Sequence, residues 1–347
     1  MKKGYVLPLA VMIIAIMVTL TTRLFDRSRV QIAYGKYVVD RVQASEMALN
    51  GIVIAQRLIA QSYEPPKDEK ASANSDQQIY SQLLPLLGTW KKYTINEHRG
   101  SVAGSVNICI TCEDGKINLN KLFDWEKKQW RSIPDNKTGY EPLIQKIGGQ
   151  IAQFAHLKKS LFSNLTDFFK KRGYPLNDIT DILSQSDIGN WSEYIFFEPL
   201  DISNKKTDPN RPIYLNDIFT VWTSHTGANP WVLSDGMRAL IGAHRIDAHK
   251  FDTAAIKKVS KNFKKTITLK TDWDNTVKPL YGISYGPKIA SMAPFIDSDY
   301  SISAFCVLSY ATVGRCTQRL CAIITRTASS NSSDEPQWAI ARIYWLT

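Results

Sequence analysis

The residues best able to do chemistry in this chain are its five cysteines and five histidines, together with a few close carboxylates. Cys109-Ile110-Thr111-Cys112 has the spacing of a redox dithiol. It falls at the end of an apparent strand and not at a helix N-terminus, where a thiol would be acidified, so a structural role is expected. Cys306 and Cys321 form a second candidate pair. If Val313-Gly314 turns the chain between two strands, they face each other across a hairpin, and an oxidising compartment would permit a disulfide. Two buried free thiols are the alternative, and an odd cysteine count leaves at least one thiol unpaired or bonded between chains. His244 and His249, with Asp247 between them, lack the i, i+4 spacing that puts two ligands on one helical face, and no HExxH surrounds them. Glu113-Asp114 reads as a turn whose carboxylates cap or solvate it. There is no GxSxG, P-loop or GxGxxG. No catalytic constellation emerges, and an enzyme is not expected.

The elements that must position these residues begin with the first sixty. Lys2-Lys3-Gly4 precedes Tyr5 to Thr22, which carry no charge. Eighteen such residues cover about 27 Å as a helix, close to the hydrocarbon thickness of a bilayer. Lysines before the run and a large remainder after it predict a short cytoplasmic N-terminus and an exported body. Thr21-Thr22-Arg23-Leu24-Phe25 is not the small-residue region of a cleavable signal, so the run reads as a retained anchor. Beyond Arg23, Leu24, Phe25, Ile32, Val38, Val39, Val42, Leu49, Ile52, Val53 and Ile59 recur at helical spacing among charged residues. Only Gly35 and Gly51 interrupt the pattern, at about 1 kcal/mol each against alanine. As one helix, Tyr5 to Gln61 is a rod of about 86 Å, suited to packing against copies in a filament.

The rest is composed to fold, with 44% hydrophobic and 11% aromatic residues. Residues 62–78, with Pro65-Pro66, read as a linker. Strands are expected from Trp90 to Ile110, with Ser101 to Ile108 alternating around a glycine. The region from Leu143 to Arg245 reads as mainly helical, including Ile151 to Leu165 and Asn177 to Leu183, with Asp178 and Ser234 as N-caps. Strands return at Thr266 to Lys270, Ser301 to Tyr310 and Arg315 to Thr325, and Gln337 to Leu346 closes as an edge. Net charge is +11, with Lys250, Lys257, Lys258, Lys261, Lys264, Lys265, Lys270 and Lys278 clustered. Lysines without interleaved aromatics or arginines read as a solvated face or one meeting an acidic neighbour, and nucleic acid is not the expected partner.

A basic leader, a glycine, an aromatic residue, an apolar run and a continuous helix together resemble the N-terminus of type IV pilins and type II secretion pseudopilins. The resemblance implies cleavage by a prepilin peptidase after Gly4, leaving Tyr5 as a mature N-terminus of the kind this superfamily methylates. The family's glutamate at the fifth mature position would fall at Leu9. Its absence is shared with the K-type minor pseudopilins, whose tip position leaves no neighbouring amine to neutralise. Tyr5-Val6-Leu7-Pro8 also resembles PilX-type minor pilins, in which Pro8 is tolerated in the first helical turn. Length favours the K-type, which carries a helical insertion in its sheet. Cys112-Glu113-Asp114-Gly115-Lys116-Ile117-Asn118-Leu119-Asn120 is similar to that family's D-x-x-G-K-I-N-L-N segment, with Cys112 in place of the aspartate. Gly227-Ala228-Asn229-Pro230-Trp231-Val232-Leu233 through Ile241 is a degraded form of a second family segment.

The resemblance implies an α+β fold, with a long N-terminal transmembrane and amphipathic helix, a pilin-like antiparallel sheet and an inserted, mainly helical domain. The implied division is leader 1–4, helix 5–61 (5–22 transmembrane), linker 62–78, sheet parts 79–135 and 251–347, and insertion 136–250. The family-like residues are Asp114, Gly115, Asn118 and Asn120. The implied function is that of a minor pseudopilin in a bacterial inner membrane, single-pass with its body in the periplasm, starting assembly at the pseudopilus tip. Other minor pseudopilins are its implied partners through the helix, with secreted cargo also in reach. A PilX-like minor pilin acting in adhesion, aggregation or DNA uptake is the alternative. No cofactor is expected. Some K-type proteins bind calcium, but Asp178, Asp181, Asp187 and Glu193 match no ligand pattern, so metal stays open.

Overall fold

The computed structural model describes residues 6–63, 75–96, 103–133, 139–154, 156–157, 161–192, 213–243, 256, 259–327 and 337–346. Helix α1 runs unbroken over Val6–Gln61. Its first half presents Leu7 to Val42 to the surroundings, and it is the one described helix long and apolar enough to cross a membrane. The hydroxyls of Thr19, Thr21 and Thr22 donate back to the carbonyls of Ala15, Met17 and Val18 at 2.7–2.8 Å. Those polar groups are thus satisfied within the helix, as an apolar surrounding demands. From Ala44 onward one face is buried, with Ala44, Ala48, Ile52, Ala55 and Ile59 all at or near zero exposure.

The described strands are β1 (Trp90–Ile95), β2 (Gly104–Cys112), β3 (Ile117–Asn118), β4 (Phe123–Asp124), β5 (Gln129–Trp130), β6 (Phe219–Thr220), β7 (Ala304–Val313), β8 (Cys316–Thr327) and β9 (Gln337–Leu346). The buried face of α1 lies on a five-stranded antiparallel sheet in the order β1-β2-β7-β8-β9. The short strands pair separately, β3 with β6 and β4 with β5. Alternation along β2 sends Val106, Ile108, Ile110 and Cys112 toward α1 and Cys109 to the other side. Small residues let helix and sheet come close. A side chain at Gly51 would put its first carbon 2.2 Å from Ser309 Oγ, and that hydroxyl donates to Ala48 O at 2.8 Å.

Between β2 and β7 the described chain is largely helical, with helices at Glu141–Phe154, Leu165–Arg172, Asp235–Ile241, Leu269–Thr276 and Pro287–Met292. The expected order of strands, helical segment and strands is therefore seen, and the fold is α+β. The boundaries drawn at 135/136 and 250/251 fall at residues outside those described.

Several local expectations need correction. Ile151 to Leu165 is not one helix; the helix begins at Glu141, where Ile144, Ile147 and Ile151 share a buried stripe, and a second starts at Leu165. Thr266 to Lys270 is not a strand. Thr266 makes one bridge to Asp299, and a helix then starts at Leu269. Asp272 reaches back to accept from Thr268 N at 2.8 Å, a local cap that overrides the β-branched composition. The linker also ends early, because Ser75–Leu83 is helical with Asp76 in its first turn. Asp178 and Ser234 do act as N-caps, accepting from Thr180 N and Met237 N.

Candidate functional site

Two parts of the molecule carry features that packing alone does not use. The first is the free surface of α1. Phe25, Ile32 and Val39 are spaced by seven, as are Val42 and Leu49, and all are exposed. At about 3.6 residues per turn they share one side of the helix with Leu24 and Val53. Leu49 and Val53 stay 38% and 39% exposed beside the head, so this side faces away from the sheet. Asp26 and Arg41 lie on the opposite side, in line with the buried Ala44 and Ala55. Contact with the head starts at Tyr37 to Asp40, where Cys316 Sγ approaches Tyr37 O at 3.5 Å and Gly314, at φ +55°, sits beside the Asp40 carboxylate. A glycine suits that turn for its positive φ and for the absent side chain. A mainly apolar stripe, interrupted by the exposed Glu46, therefore runs from the bare proximal half of α1 to the side of the head, offering a packing surface to another helix.

The second is a buried junction built by the family-like residues. A 3₁₀ turn at Glu113–Gly115 follows β2, and all three residues are buried. From sequence these carboxylates were expected to solvate a turn, but the structure uses both internally. Asp114 accepts from Ser303 N (2.7 Å), Ser303 Oγ (2.8 Å) and Ala304 N (3.0 Å), so it ties the end of β2 to the start of β7. Burial pushes its carboxyl above the usual range, and those Ser303 and Ala304 donors only partly offset this. Glu113 pairs with Lys116, both nearly without exposure. Burial is the largest influence and works against the Lys116 charge, yet the Glu113 charge and hydrogen bond, together with the nearby Cys306 and Asp217, hold the ammonium above its ordinary range.

Neighbouring residues extend the junction. A side chain at Gly115 would fall 2.0 Å from Val232 O, so this close approach requires glycine. Asn118 Nδ2 donates to Thr223 O at 2.6 Å while β3 pairs in parallel with β6. Asn120 bonds Leu176 twice, accepting from its N–H and donating to its carbonyl, both at 2.8 Å. Residues of the second family-like segment meet the first here. Asn229 N donates to Asp114 O at 2.6 Å, and its side chain donates to Ser301 O at 3.0 Å. Asp114, Gly115, Asn118 and Asn120 are thus brought together as a clasp between sheet and helical segment. The anchoring half at Ser303-Ala304 was not legible in sequence, because backbone donors leave no residue signature.

The cysteine pair departs from expectation in register. Gly314-Arg315 forms the turn and Val313 pairs with Cys316, so Cys306 lies opposite Ile323 and Cys321 opposite Leu308. The two cysteines are diagonal neighbours, both free thiols, with Sγ atoms 3.4 Å apart. Their hydrogen bond and burial push the Cys321 thiol up. Cys109 and Cys112 lie on opposite faces of β2 and cannot bond to each other. Burial, reinforced by the Asp114 charge, pushes the Cys112 thiol well up, away from redox reactivity. Gly4 and Tyr5 lie outside the described residues, as do His244, Asp247, His249, Lys250, Lys257 and Lys258. Of the remaining lysines, Lys264 pairs with Asp272 at 2.7 Å and Lys265 with Asp76 at 2.9 Å. Among the described residues no three His, Cys, Asp or Glu side chains group as metal ligands.

No protein-family model matches the sequence, and no curated protein is detectably similar to it. Among solved structures, a chain of the GspK-GspI-GspJ complex from the enterotoxigenic Escherichia coli type 2 secretion system aligns with it. The alignment covers 92% of this chain and 99% of that one, at 12% identity and a TM-score of 0.44. A likeness that distant carries no functional argument. The bare stripe of α1 and the contacts of the clasp must carry it instead.

Proposed function

We propose that this chain is a K-type minor pseudopilin, a structural subunit that helps start a short filament in protein secretion. One observation carries the reading. Helix α1 is continuous through Arg23, and its distal half lies under a five-stranded antiparallel sheet while its proximal half is bare and apolar. Such a helix can lie in a bilayer as a monomer and exchange lipid for neighbouring helices on assembly, with no covalent chemistry by the chain.

In this reading the protein is held in the bacterial inner membrane by residues 5–22, with the head in the periplasm. A prepilin peptidase removes residues 1–4, and Tyr5 becomes the methylated N-terminus. Leu9, where a carboxylate would serve a subunit above, fits a place at the tip. Other minor pseudopilins contact the exposed stripe of α1, and the head is positioned to meet secreted cargo. The long helical segment between β2 and β7 supports this over a PilX-like minor pilin.

The test is N-terminal sequencing of the protein from cells with and without prepilin peptidase. A mature chain starting at Tyr5, lost in the peptidase mutant and in Gly4→Leu, is the expected result. A chain starting at Met1 in both strains, or cut beyond Thr22, would contradict the reading.

A further inference from the structure

On the face of the sheet opposite α1, a cavity of about 240 Å³ lies between β8, β9, the 3₁₀ turn at Ile179–Ser184 and the chain at 216–222. Its walls include Phe219, Trp222, Ile179 and Trp345, an apolar and aromatic lining. Within it stand three polar atoms with no hydrogen-bond partner among the described residues: Asp178 Oδ2, Asn216 Oδ1 and Tyr344 OH. Asp178 is only 2% exposed. Its other oxygen caps the turn by accepting from Thr180 N at 2.7 Å, so the carboxylate is fixed in place with one oxygen unused. Lys116 also reaches the cavity, but its charge is already matched by Glu113.

A buried carboxylate oxygen without a donor is costly, and a satisfied native interior rarely keeps one. Here it is accompanied by a second free acceptor at Asn216 and walled by aromatic rings. A hard divalent ion wants six or more oxygens, which these walls do not supply. A protonated amine on a short apolar stem matches all three features: donors for Asp178 and Asn216, a cation for the ring faces, and a stem for the apolar walls.

We propose that this cavity binds a primary ammonium group on a short aliphatic chain, held by Asp178 and Asn216 against Trp222 and Phe219. The same chemistry is offered by a free alkylamine and by a lysine side chain of a docking protein.

The test is calorimetric titration of the full-length protein in detergent with n-butylammonium, with n-butanol and butyrate as neutral and anionic counterparts. Nα-acetyl-lysine amide forms a parallel arm. Saturable binding of the ammonium compounds, with neither counterpart binding, is expected. Asp178→Asn keeps the capping oxygen and removes the charge, and should weaken binding about tenfold or more. Asn216→Leu should weaken it several-fold and stands in if the first variant folds poorly. Tighter binding of butylammonium assigns the site to a free amine, and tighter binding of the lysine derivative assigns it to a protein side chain. The proposal is overturned if neither ammonium compound binds, if Asp178→Asn binds as well as the parent, or if calcium chloride alone binds.

Discussion

The two halves of α1 are made from the same kinds of residue and put them to opposite uses. Between Ala44 and Ile59 one face, made by Ala44, Ala48, Ile52, Ala55 and Ile59, is covered by β2, β7 and β8. From Leu7 to Val42 residues at least as apolar are left bare. Buried area of this kind stabilises a fold at about 25 cal/mol per Å². The distal half therefore holds the head together, whereas the proximal half contributes nothing to the head's stability and keeps its surface for a bilayer or another helix. A helix that only served its own domain would have no reason to extend this far uncovered.

Substitutions can break that contrast or sharpen it. The largest loss is expected at Gly51→Leu, where the first added carbon already meets Ser309 Oγ at 2.2 Å and Val106 Cγ2 at 2.8 Å. Lifting α1 off the sheet should cost about 3 kcal/mol, read as a lower thermal midpoint of the full chain in detergent. Gly35→Leu, with nothing within 4 Å, is the matched control and should leave the midpoint in place. Next comes Gly115→Ala in the clasp, which drives a carbon against Val232 O. Its expected cost is about 2 kcal/mol, without any effect on α1.

Asp114→Asn should cost about 1 kcal/mol, because an amide oxygen kept on Ser303 N and Ala304 N leaves the NH2 facing Ser303 Oγ, which can no longer donate to it. It also tests a pH effect. The folded-state carboxyl sits above its ordinary range, so the native head binds this proton more readily than the unfolded chain does. That contribution is fully present below the ordinary Asp range and is lost as pH rises through the raised folded value. Denaturation followed across the acid range should show that component in the parent and lack it in Asp114→Asn. The smallest stability effect belongs to Ile32→Asp with Val39→Asp. Both sites are exposed, so the head's midpoint should stay within about 0.5 kcal/mol, while recovery in assembled filaments falls sharply.

Periodicity made some of this legible in the sequence. The rod, the edge strand Gln337–Leu346 and the caps at Asp178 and Ser234 were each signalled by residue type at a fixed spacing. What was not legible depends on partners distant in sequence. Glu113 and Asp114 read as solvated because charged residues usually are; only the backbone N–H groups of Ser303 and Ala304 and the ammonium of Lys116 make their burial tolerable. The Cys306–Cys321 alignment failed for a different reason. A one-position change in where the hairpin turns moves every facing pair, and Gly314-Arg315 set the turn later than Val313-Gly314 would. The cavity beside Asp178 had no sequence signal, since its walls come from six separate segments.

Photo-crosslinking from the bare stripe tests the central claim most directly. A photoreactive residue placed at Ile32 or Val39, in cells producing the neighbouring pilin-like subunits, should give adducts with another subunit's N-terminal helix, and the same probe at Arg41, on the opposite side of α1, should give far fewer. Equal yields from all three positions, or none from Ile32 and Val39 while the protein is intact in the membrane, would contradict the account.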